Sequence, residues 1–137
     1  MEIPSEKGLL GHSDADIVAH AVTDALLGAA ALGDIGQHFP PSDPQWKDAP
    51  GEVFLRRARD LLREGGYRIV NIDVVVVIER PKILPYRERI RENLAAILEV
   101  APEAISVKAK TSEGVGPVGE GLAAEAHAVA TISVLTP

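Results

Sequence analysis

Val70-Asn71-Ile72-Asp73-Val74-Val75-Val76-Val77-Ile78-Glu79 reads as one β-strand. Its even positions, Ile72, Val74, Val76 and Ile78, are all β-branched, which suits a pleated surface with one face in a core. Helical patterns flank it. Upstream, Phe54, Leu55, Ala58, Leu61 and Leu62 share one face of a helix that Gly65-Gly66 ends. Downstream, a helix beginning near Pro85 presents Ile90, Leu94, Ile97 and Leu98, and Ile105 to Lys110 alternates as a second strand. The last strand turns Leu122, Ala124, Ala126, Ala128, Ala130 and Ile132 to one side. Glu125, His127, Val129 and Thr131 face the other way. This alternation implies an α/β fold: a single two-layer domain over residues 1–137, with a mixed or antiparallel sheet and helices on one face.

The second face of that sheet combines valines with an isolated acid–imidazole pair. Such a surface is poor as a core and poor as a solvated face. A half-exposed antiparallel sheet explains it, and so does burial against another subunit.

The first helix is expected from about Ser13, as its N-cap, to Gly33. A loop rich in Pro and Asp follows, from Phe39 to Pro50. At helical pitch, Asp16, His20 and Asp24 form a polar stripe, while Ile17, Val18, Val22, Ala25, Leu26 and Ala29 point into the core. An imidazole between two carboxylates suits a divalent metal, which needs a ligand nitrogen and carboxylates that bind the ion or orient the ring. The same stripe also fits an ordinary solvated helix face. Taken singly, Asp34 reads as a turn former and Pro81 to Pro85 as a strand-to-helix turn. His38 reads as a surface residue.

The net charge of -6 argues against nucleic acid or an anionic membrane as partner, since both reward clustered Lys and Arg. Zero cysteines exclude a disulfide framework or thiolate metal site and fit a reducing cytoplasm. No uninterrupted apolar run reaches the ~20 residues of a membrane span, and the first residues lack a basic-then-apolar signal pattern.

Several long motifs occur in order: Glu6 to Asp16, His20-Ala21, Thr23 to Gly28, Leu32 to Gly36, Phe39-Pro40, Arg80 to Pro85 and Lys108 to Gly114. Together they resemble the 2-C-methyl-D-erythritol 2,4-cyclodiphosphate synthases of non-mevalonate isoprenoid biosynthesis. The resemblance implies a lyase in which the 2-phosphate of a CDP-linked methylerythritol attacks the β-phosphorus and CMP leaves. By resemblance His20 is a ligand of a Zn- or Mn-type ion, and Glu113 contacts a second, Mg-type ion. His12 and Ser13 match residues that hold the methylerythritol phosphate end, with His12, Thr111 and Glu113 in catalytic positions. Asp34 and Gly36 match ribose-binding positions. Ile78, Pro81, Lys82, Ile83 and Leu84 match the cytosine loop, and Ala109, Lys110 and Thr111 the segment gripping diphosphate and ribose. The family also implies a homotrimer with the sheets around its axis and active sites between subunits.

Two departures accompany the match. The family carries an Asp-X-His motif on a first strand ahead of the segment matching Glu2-Ile3-Pro4, and no Asp-X-His occurs here. The expectation is therefore a chain truncated at its N-terminus, or a variant with a damaged metal site. Glu120 stands where the family commonly has an Arg that helps hold anionic ligands in the trimer cavity, so such ligands are expected to bind poorly. Two other readings compete: a metal-poor, catalytically weak CDP-binding trimer, and an unrelated small metallohydrolase built on the helix stripe.

Overall fold

The computed structural model describes residues 10–46, 49–78, 86–110 and 124–135. Helix α1 spans Leu10–Ala29 and a short helix α2 spans Ile35–His38. A 3-10 turn at Pro44–Trp46 leads to α3, Gly51–Glu64. Strand β1, Tyr67–Val77, and helix α4, Arg87–Leu98, follow. A 3-10 turn at Pro102–Ala104 then enters β2, Ile105–Lys110, and the chain ends in β3, Glu125–Val134.

The three strands form one mixed sheet in the order β2-β1-β3, with β2 parallel and β3 antiparallel to the central β1. The parallel pair is separated in sequence by α4, as a crossover requires. Helices cover one face only. Val18, Val22 and Leu26 of α1, Leu55, Ala58 and Leu62 of α3, and Ile90 and Leu94 of α4 close over Ile72, Val74, Val76, Ile105 and Val107. Thr23 is the one polar residue buried among the described residues, and its hydroxyl donates to Ala19 O at 2.7 Å. A buried hydroxyl that bonds back to the helix leaves no unsatisfied donor.

Three boundaries differ from the sequence expectation. Helix α1 begins at Leu10, ahead of Ser13, and its regular part stops at Ala29, before Gly33. The stop lies at Ala31, whose φ of 56° is left-handed. Leu32 N–H donates to Leu27 O at 2.8 Å and Ala31 N–H to Gly28 O at 3.0 Å, the paired bonds that close a helix end. Ala29 lies beyond the buried stripe and is exposed.

Strand β1 begins at Tyr67, three residues before Val70, because a bulge between Ile69 and Asn71 shifts its register against β3. Tyr67 and Ile69 pack on the core before the bulge, and Ile72, Val74 and Val76 after it. The core-facing positions switch from odd to even, so a period-2 reading finds only the second half. The sequence reading also missed α2, a helix too short to show a period.

The uncovered sheet face holds Asp73, Val75, Lys108, His127 and Val129, the last 70% exposed. Lys108 Nζ donates to Asp73 Oδ2 at 2.9 Å, and Asp73 Oδ1 is buried without a hydrogen-bond partner among the described residues.

Candidate functional site

His20 and Asp24 sit one turn apart on the exposed side of α1, opposite Val18, Val22 and Leu26. The His20 ring meets Phe54 of α3 edge-on, with centroids 5.3 Å apart and planes at 74°. Phe54 is buried, and Phe39 packs against it at 4.8 Å and against Trp46 at 4.7 Å. Loop 39–50 is thus not a free Pro-rich connector. Its two aromatics, Phe39 and Trp46, pack on Phe54, the ring that meets the imidazole.

Asp24 does not orient the imidazole. Its Oδ1 accepts from Ile35 N–H at 2.7 Å, the first helical amide of α2. One oxygen of Asp24 is therefore engaged by a helix amide, and its other oxygen accepts no hydrogen bond among the described residues.

Asp34 is the N-cap of α2. Its Oδ1 accepts from Gln37 N–H at 3.0 Å, and its own N–H donates to Gln37 Oε1 at 3.1 Å, a reciprocal capping box. Gly33, at φ 94°, has the left-handed backbone that favours glycine, and a Cβ there would displace the Gln37 side-chain amide from the capping box. His38 is not an idle surface residue: its Nε2 is 2.7 Å from Leu32 O, which ties the end of α2 back to the end of α1. The turn Gly33 to Phe39 is therefore closed internally and pinned to α1 through Asp24. Gly36 lies in the first turn of α2, where backbone amides have no intrahelical acceptor.

A second group lies where β1 and β2 end. Ile78 N–H donates to Lys110 O at 2.9 Å, and Val76 is registered with Ala109. Ile78 is buried, Ala109 half-buried and Lys110 exposed, so this end presents a backbone edge with one cation. The carboxyl ends of parallel strands are a recurrent place for ligands in open α/β sheets. His12 and Ser13 lie on the first turns of α1. Pro81, Lys82, Ile83, Leu84, Thr111, Glu113 and Glu120 lie outside the described residues, as does Leu122 of the last strand's expected face.

The described residues do not by themselves fit a tetrahedral metal centre. Among them no group of three His, Cys, Asp or Glu side chains could hold an ion, and His20 supplies one nitrogen where a tight site needs three protein donors.

Sequence reading missed Phe54 as the ring that meets His20, and Trp46 packed on Phe54. Their only signal was apolar or aromatic character in positions that also suit an ordinary core. It also missed the Asp24–Ile35 bond, which joins residues 11 positions apart and has no local pattern.

Comparison with known proteins agrees in extent and in fold. The YgbB family matches residues 1–133. A 2-C-methyl-D-erythritol 2,4-cyclodiphosphate synthase of Solibacter usitatus is 60% identical over 95% of this chain and 82% of its own length. One from Gloeobacter violaceus is 57% identical over 94% of this chain and 79% of its own. A solved 2C-methyl-D-erythritol-2,4-cyclodiphosphate synthase in a CDP-bound form superposes with a TM-score of 0.82 at 37% identity, covering 96% of this chain and 85% of the other.

Proposed function

Since the chain belongs to the YgbB family of 2-C-methyl-D-erythritol 2,4-cyclodiphosphate synthases, we propose that the α1–α2 corner is its ribose- and ion-binding side and the β1–β2 end its cytidine and diphosphate side. The enzyme acts in isoprenoid biosynthesis. It converts 4-diphosphocytidyl-2-C-methyl-D-erythritol 2-phosphate to the cyclic diphosphate: an oxygen of the 2-phosphate bonds to the β-phosphorus, the bond to the α-phosphate breaks, and CMP carries away that electron pair. No covalent nucleophile is needed. Such a reaction depends on alignment and on neutralising charge.

The observation that carries the assignment is the capped turn. The capping box engages Oδ1 of Asp34, and Oδ2 accepts no hydrogen bond among the described residues, which suits it to a ribose hydroxyl. The Gly36 amide stands beside it. Ile78, Ala109 and Lys110 supply main-chain groups and a cation for the base and diphosphate, and by resemblance Pro81, Lys82, Ile83, Leu84 and Thr111 bind the same groups. His12 and Ser13 hold the methylerythritol phosphate.

In this reading His20 would hold a Zn- or Mn-type ion and Glu113 a Mg-type ion. Bound ions of this kind offset phosphate charge. The uncovered sheet face is the assembly surface of a homotrimer. Val129 exposed at its centre and the unpartnered Asp73 Oδ1 support that use, because both are costly against water or in isolation. Cytoplasmic residence completes the proposal. Among the described residues no helix is long and apolar enough to cross a membrane.

Phosphorus NMR of the chain with that substrate, Mg and Zn tests the reading. Formation of CMP and the cyclic diphosphate, abolished by EDTA, is expected. CDP binding that ignores EDTA, with no turnover, would overturn it in favour of a nucleotide-binding module.

A further inference from the structure

We propose that Asp24 is a positioning residue of the nucleotide-ribose subsite, holding the Asp34–Gly36 turn to the helix that carries His20. The inference rests on the assignment of Asp34 and Gly36 to the ribose and adds what places them.

A four-residue helix cannot hold itself in water, because nucleation costs more than one or two hydrogen bonds return. The capping box between Asp34 and Gln37 closes the turn upon itself and says nothing about where the turn sits. The His38–Leu32 contact and the Phe39–Phe54 packing hold its far end. At its near end the Asp24 carboxylate grips Ile35 N–H at 2.7 Å, the amide next to Asp34. A carboxylate on the first amide of a helix is also favoured by the positive end of the helix dipole. Asp24 is one helical turn from His20, so the same rigid segment fixes both the imidazole and the ribose turn. Fixing a binding turn before the ligand arrives raises affinity by removing an ordering cost.

Asp24→Ala is expected to weaken CDP binding roughly tenfold, the worth of one hydrogen bond to a charged group. Turnover at saturating substrate and affinity for Zn alone should change less than twofold. Asp24→Asn, which keeps an acceptor oxygen but not its charge, should recover part of the CDP affinity lost in Asp24→Ala. A second variant deletes the donor instead. Ile35→Pro is compatible with the backbone, since Ile35 is the first helical residue and Asp34 already has the extended φ of -136° and ψ of 178° that precede proline. Ile35→Ala controls for the lost side chain and should bind CDP as the wild type does.

Calorimetric titration with CDP on the wild type, the singles and the Asp24→Ala/Ile35→Pro double reads the result. Ile35→Pro as weak as Asp24→Ala, with the double no weaker than either, is the expected outcome. Additive losses would overturn the proposal, as would a loss of Zn affinity in Asp24→Ala with CDP affinity intact. An unchanged Asp24→Ala beside a binding wild type sinks this inference alone. A wild type that fails to bind CDP sinks the ribose assignment beneath it as well.

Discussion

Phe54 presents its ring edge-on to His20 across the contact between α3 and α1, 5.3 Å from centroid to centroid. An aromatic wall restricts how an exposed imidazole can turn, and it does so without a hydrogen bond. His20 ring protons should therefore resonate away from those of a free histidine because of the Phe54 ring current. Phe54→Leu should cost under ~1.5 kcal/mol, as a swap between large apolar residues, and should return the His20 signals towards free values. Unchanged signals in the leucine variant would show that the rings do not meet in solution.

Asp34 caps α2 and, in the proposed function, also binds the ribose, and Asn separates the two roles. Asn caps helices about as well as Asp, so Asp34→Asn should leave the melting temperature nearly unchanged. Its weaker acceptor should lower CDP affinity by about tenfold, given that hydrogen bonds to ionised groups are roughly twice as strong as neutral ones. Parallel melting and titration experiments check both halves. A stable variant with full CDP affinity would remove the carboxylate from the ribose.

Two left-handed residues that are not glycine make opposite predictions. Ala31, at φ 56°, ends α1 and its side chain takes no part in the end-closing bonds. Ala31→Gly should stabilise the protein by about 1 kcal/mol, by relieving the left-handed penalty. Glu99, at φ 57°, ends α4, but its carboxylate reaches Arg59 at 2.8 Å and Arg63 at 3.1 Å. Arg59 is only 13% exposed while Arg63 and Glu99 are about half exposed, so losing these pairs should offset the relieved strain and leave Glu99→Gly no more stable than the wild type. Urea denaturation of the two variants side by side decides it.

Val129→Lys should break the proposed trimer and spare the protomer. Val129 is 70% exposed on the uncovered face and contributes nothing to the helix-side core. Light scattering should report loss of the trimer, while far-ultraviolet circular dichroism stays that of the wild type. A variant that remains trimeric would move the interface elsewhere.

Much of this was legible in the sequence because it depends on local periods. Buried Ile72, Val74, Val76 and Ile78 follow strand alternation, and Val18, Val22 and Leu26 follow helical pitch. The motif order pointed to the family, and residues 1–133 match it. The candidate site was legible as a set of residues and less so as an arrangement. Asp24 looked like part of a metal stripe because spacing records which residues share a face, not which partner a carboxylate finds.

From the sequence alone came the α/β class, most of the helix core faces, that of the second half of β1, and the family, since these follow from hydrophobic period and motif order along one chain. Only the tertiary structure decided the rest. It showed that Asp24 spends an oxygen on Ile35, that Phe54 meets His20 while Phe39 packs on Phe54, and that the bulge at Ile69–Asn71 switches the face of β1. The physical reason is the same in each case. A hydrogen bond or ring contact between distant residues depends on where packing places whole elements, and no local pattern encodes that placement.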